Sequence, residues 1–135
     1  MATKILALTS EPISADALRS AVGSELGDDA EVFVIAPALN SRLHFLVGDV
    51  DPAIARAEEV QTETVERLDE EGIDAAGETG ESDPLLALED ALQTYPADMI
   101  VLFIHPEGRR NFLEEGLLEK VRERFELPVS HLIVE

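Results

Sequence analysis

Apolar residues fall along this chain in short continuous runs separated by stretches of helical periodicity. Lys4-Ile-Leu-Ala-Leu-Thr9 is the first run, closed by Ser10-Glu11-Pro12, and an apolar run without alternation reads as a strand covered on both faces. It predicts a central strand, β1. From Ile13 to Leu26 the residues Ile13, Ala17, Leu18, Ala21 and Val22 recur at helical spacing, with Gly23 and Gly27 as stops, predicting α1. Glu31 to Ala36 is β-branched and aromatic and meets Pro37, which predicts an interior β2. Asp51-Pro52 supplies an N-cap followed by proline at the first helical position, and Ile54, Ala57, Gln61, Thr64 and Leu68 mark one face of α2 up to Gly72.

Ile73 to Thr79 is a weak, glycine-interrupted β3 suited to a sheet edge. Asp83-Pro84 repeats the helix-start device, and Leu85, Leu88 and Leu92 stripe α3 before Tyr95-Pro96. Asp98 to Ile104 is the most apolar run and predicts a fully buried β4. Leu113, Leu117, Val121 and Phe125 make the inward face of α4, after which Leu127-Pro128 forbids further helix. Val129 to Val134 alternates as β5, an edge strand or one that pairs with another chain. Strict strand–helix alternation implies an α/β fold: an open five-stranded parallel sheet, Rossmann-like, with helices on both faces and strand order 3-2-1-4-5. Ligands of such sheets bind beyond the strands' carboxyl ends at the switch point, here between β1 and β4. The loops to watch are 9–12 and 105–111.

Length and charge narrow the classes. The 135 residues fit a single domain, and 45% hydrophobic content supplies a core despite a net charge of −19 from 29 acids against 10 lysines and arginines. With no cysteine, disulfides, thiolate metal sites and cysteine nucleophiles are excluded, and a cytoplasmic setting is expected. No apolar run is long enough for a signal peptide or a bilayer span. So negative a surface repels phosphate backbones and anionic lipid, so neither nucleic acid nor membrane is an expected partner. Only Lys4 and Lys120 are lysines, and low lysine with abundant acid fits either a salt-rich cytoplasm or a GC-rich genome.

The five strand–helix units, the Pro128-Val129 opening of the last strand, and Gly108-Arg109 followed by Gly116 after β4 together resemble the universal stress protein family, over residues 3–134. The resemblance implies this fold, a stress-response role and a homodimer through the last strand, 129–134. Members that bind ATP carry a GxxG, a nine-residue spacer and Gly-Ser/Thr after β4, and an Asp after β1. Here His105 stands at the first glycine, only seven residues separate Gly108 from Gly116, and Leu117 replaces the hydroxyl. Thr9 and Ser10 stand where the acid is expected. A Cβ at the first glycine blocks close approach of backbone to phosphate, and Leu117 offers no hydrogen bond, so the ATP motif is degenerate.

Candidate ligand-binding residues are therefore Thr9, Ser10, His105, Gly108, Arg109, Arg110 and Gly116. Segment 106–126 carries five of the ten cations (Arg109, Arg110, Lys120, Arg122 and Arg124) against six acids, which makes it the least repulsive place for an anion. Backbone N–H groups at the start of α4 would add to Arg109 and Arg110 there; the same arginines could instead pair with surface glutamates. A carboxylate at Glu11 would occupy the α1 dipole that a phosphate would otherwise use. His105 could contact phosphate or move a proton, or simply gate the site. No two histidines have metal-ligand spacing, and no nucleophile motif or phosphate loop is present. Apolar residues in 40–47 suggest a lid, a protein-partner patch or an extra helical turn. The leading expectation is a stress-response domain that binds and assembles without catalysis. A nucleotide (ATP or AMP) or other phosphate ligand held by loop 105–111, and an enzyme using His105, stand as alternatives.

Overall fold

The computed structural model describes residues 3–23, 30–37, 51–80, 83–104 and 116–134, with backbone alone at 51–53. Among these the elements run β1 (Lys4–Thr9), α1 (Ala15–Val22), β2 (Glu31–Pro37), α2 (Asp51–Glu70), β3 (Asp74–Gly80), α3 (Pro84–Thr94), β4 (Met99–Ile104), α4 (Leu117–Arg124) and β5 (Val129–Ile133). The sheet order is β3-β2-β1-β4-β5 and every pairing is parallel, as the alternation predicts. All of β4 and all of β1 except Lys4 are buried, which accounts for their unbroken apolar runs.

The sheet separates two apolar layers. Ile5, Ala7, Val101 and Phe103 meet Ala15, Leu18 and Val22 of α1 and Leu68 of α2 on one face. Leu6, Leu8, Ile100 and Leu102 meet Ala87, Leu88 and Ala91 of α3 and Leu117, Leu118 and Val121 of α4 on the other. Fully burying a leucine, isoleucine or phenylalanine contributes about 1.5–3 kcal/mol, so β1 and β4 are the main stabilising strands.

Two helix starts differ from the sequence expectation. α1 begins at Ala15, because Ser14 is its N-cap and accepts the Ala17 N–H at 3.1 Å. Ile13, expected as its first residue, precedes the cap and shares a core layer with Leu18, the arrangement of a hydrophobic staple. α4 begins at Leu117, because Gly116 has the left-handed φ of 68° and a helix does not run through such a residue. Its stripe is therefore Leu117, Leu118 and Val121; Leu113 lies outside the described residues. Phe125 is extended at the C-cap and still packs on that layer. On α2 the inward face is Ala57, Val60, Thr64 and Leu68, while Ile54 is 40% exposed. Asp83 caps α3 as expected, accepting the Leu85 N–H at 2.9 Å, with Pro84 following. Among the described residues no helix is long and apolar enough to cross a membrane.

The glycines of β3 mark close packing. A Cβ on Gly80 would lie 2.8 Å from Ala87 Cβ and 2.9 Å from Ile35 Cγ2, and one on Gly77 would lie 3.1 Å from the Val34 carbonyl oxygen. The weak strand is thus clamped between α3 on one face and α2 on the other.

Candidate functional site

The carboxyl ends of β1 and β4 lie side by side at the switch point, with Thr9 in register with Phe103. Thr9 is fully buried, and its hydroxyl closes the turn that follows. Thr9 Oγ1 donates to the Glu11 carbonyl at 2.5 Å and accepts the Glu11 N–H at 3.3 Å. Its hydrogen-bonding capacity is spent on the loop's own backbone, so it shapes the site's wall. Ser10 differs: its Oγ is buried and has no hydrogen-bond partner among the described residues. A buried hydroxyl without a partner carries a desolvation cost of about 1–3 kcal/mol, which calls for an explanation.

The loop after β1 is fastened to α2 at two points. Glu11 Oε2 makes a close ion pair with Arg56 Nη2, the two side chains being 28% and 40% exposed. Arg56 Nη1 also lies 3.5 Å from Glu59 Oε2 one turn along the helix. Deeper, the Ile13 N–H donates to Thr64 Oγ1 at 3.3 Å, and Thr64 is fully buried. Glu11, singled out in the sequence as competing for the α1 dipole, is thus paired to a helix side chain. Arg56 and Thr64 are site-framing residues that the sequence did not reveal as such. The one available signal for Arg56 was its isolation, with Arg67, among the eight acids of 51–71.

Gly116 sits at the α4 N-terminus, at the same end of the sheet; the nearest neighbour of a Cβ there would be Glu119 Oε2 at 3.9 Å, so its requirement for glycine is conformational. His105, Gly108, Arg109 and Arg110 lie outside the described residues, as does segment 40–47. Arg122 and Arg124 occupy the last turn of α4, away from the strand ends, where cations favour the helix dipole. Arg124 Nη2 also reaches Glu89 Oε1 at 2.5 Å and so ties α4 to α3.

Among the described residues the strongest pKa perturbation lies at the other end of the sheet. Tyr95 donates its hydroxyl to the Glu31 carbonyl at 3.2 Å, stacks on Phe33 at 5.0 Å and carries Lys4 Nζ 5.8 Å from its ring centre. Burial, and then the charges of Glu31, Asp74 and Asp98, push its phenol up to about 12. These groups sit at the amino ends of the strands and act as a structural clasp there. Among the described residues no three His, Asp or Glu side chains are grouped to hold a metal ion. Searches of family models and of curated proteins return no match to this sequence.

Proposed function

We propose that this chain is a stress-response domain of the universal stress protein type that acts by binding and assembly rather than catalysis, and that it pairs with a second copy along β5. The observation that carries the assembly is a contrast between the two sheet edges. β3 bears Asp74 and Glu78, whereas β5 runs Val129-Ser-His-Leu-Ile133 without an acid or a formal charge. In a chain of net charge −19, self-pairing along β3 sets carboxylates against carboxylates, while β5 presents the unpaired N–H and C=O groups of an edge with none. Ile133 is 47% exposed there, apolar surface that a second copy would cover. The strand order and the run of strand–helix units support the family reading, and the internal use of the Thr9 hydroxyl supports a non-catalytic role at the β1 end.

Light scattering after size-exclusion chromatography, at low and at high salt, tests this reading. The expected result is twice the chain mass, reverting to one chain mass in an Ile133→Glu, His131→Glu variant. A monomer at both salts, or a dimer indifferent to the variant, would overturn the assembly along β5.

A further inference from the structure

The backbone of β5 fixes how a second copy can meet it, and the inference drawn from this rests on the pairing along β5 proposed above. The Ile100 N–H donates to the Pro128 carbonyl at 2.9 Å, and the Val134 N–H donates to the Ile104 carbonyl at 2.8 Å. The even-numbered residues of this strand therefore turn their backbone groups toward β4. Val129, His131 and Ile133, alternating with them, turn their N–H and C=O groups to the open edge. We propose that two copies joined along this edge create a metal site, in which His131 of each copy ligates one shared divalent ion of the zinc, nickel and copper class.

The register follows from symmetry. Identical edge strands related by a two-fold axis run antiparallel, and each hydrogen-bonded pair must bring together two residues whose backbone groups face outward. Centred on His131, the pairing uses every outward residue of both strands: His131 faces His131, and Val129 faces Ile133 on either side. A centre at Ser130 leaves Ile133 without a facing residue in the strand, and one at Leu132 does the same to Val129. Facing residues of this kind lie roughly 5.5 Å apart at Cα, with both side chains on one face of the joined sheet. One nitrogen from each imidazole can then reach a common ion at about 2.0–2.1 Å. His131 is in register with Leu102, so that face is the one bearing α3 and α4, and His131 is exposed on it. The two Val129–Ile133 pairs flank the imidazoles with apolar side chains, which limits water around the ion. A single chain brings one imidazole to this place and the second copy completes the set, so the ion binds the pair and by mass action tightens it. The field favours the same outcome, because two chains of net charge −19 repel each other and draw a cation to the seam between them. Imidazole selects the zinc class, whereas magnesium and calcium take oxygen ligands.

The test is sedimentation equilibrium of the whole chain in Zn²⁺, in Mg²⁺ at the same concentration and in a chelator, joined to calorimetric titration with Zn²⁺. The dimer dissociation constant is expected to be roughly tenfold or more tighter in Zn²⁺ than in Mg²⁺ or chelator. His131→Gln keeps a polar side chain at an exposed position, and it is expected to dimerise as the unaltered chain does in chelator, with the Zn²⁺ effect lost. Should that variant fail to dimerise in chelator, His131→Thr, a good strand former, replaces it with the same expectation. Surface carboxylates bind zinc equally in both chains, so the calorimetric difference between unaltered chain and variant counts the ions held by His131. That difference is expected to be one ion for every two chains. A dimer of equal strength in Zn²⁺ and Mg²⁺, a tightening that survives loss of His131, or a difference of one ion per chain overturns the metal site while the pairing along β5 stands. A monomer in every condition overturns both.

Discussion

Tyr95 is the chain's one tyrosine, and no tryptophan accompanies it, so its ultraviolet spectrum can be read directly. Its phenol, ordinarily at 10.0, is raised to about 12 by burial and by the carboxylates of Glu31, Asp74 and Asp98. The folded chain therefore holds this proton more tightly than the unfolded chain does. The stability this group contributes is complete below pH 10.0 and is lost as pH rises to about 12. Spectrophotometric titration is expected to show the tyrosinate band emerging only near the upper value, and Tyr95→Phe is expected to remove that part of the alkaline loss. A midpoint at the ordinary value would show that the ring and its three acids are fully hydrated.

Among the elements, β3 makes the clearest case for stability. Gly80→Ala places a methyl group against Ala87 Cβ and Ile35 Cγ2 at distances real side chains do not tolerate, and neither neighbour is a flexible end that can swing away. The expected cost is about 1–3 kcal/mol in urea denaturation, with little change in slope. From the sequence the same glycines marked only a weak edge strand; the helices pressing on it from both sides were not legible, because nothing local to β3 encodes them. The unbroken runs of β1 and β4 and the Asp83-Pro84 cap were legible, since burial on two faces and capping leave their mark on adjacent residues. So was the strand order, which follows from which runs need two covered faces. The wall of the candidate site was legible by half. The place of Thr9 and Ser10 directly after the β1 run was legible, whereas Arg56 meets Glu11 across 45 positions of chain, a distance at which periodicity carries no information. Thr64 was read as part of an apolar helix face, and it is buried there, but its hydroxyl serves the Ile13 N–H.

At the scale of the molecule the net charge of −19 sets the response to salt. The seven acids from Glu58 to Glu71 meet only Arg56 and Arg67 along α2, and the Arg67–Glu63 pair at 2.9 Å is half exposed, so repulsion along that helix is not cancelled locally. Raising sodium chloride from ~0.1 M to ~1 M shortens the screening length from about 10 Å to about 3 Å. The stability gain expected is about 1 kcal/mol or more, a rise of roughly 3–5 °C in Tm at this chain length. A Tm that stays flat or falls would show that attractive pairs outweigh the repulsion. The position of β1 has a different outcome, in time rather than in energy. Its neighbour on one side, β2, follows after a single helix, but its neighbour on the other, β4, is far along the chain: Lys4 N–H reaches Asp98 Oδ2 across 94 positions. On the ribosome, β1 therefore emerges with one edge bare and waits for most of the polypeptide before that edge can close. During that interval the growing chain is a half-sheet, β1 to β3, with an apolar centre strand at its rim. Nascent chains on neighbouring ribosomes can pair there, and the acid-rich α2, made before β4 and packed against β3 and β2, gives every such chain charge of one sign that keeps them apart.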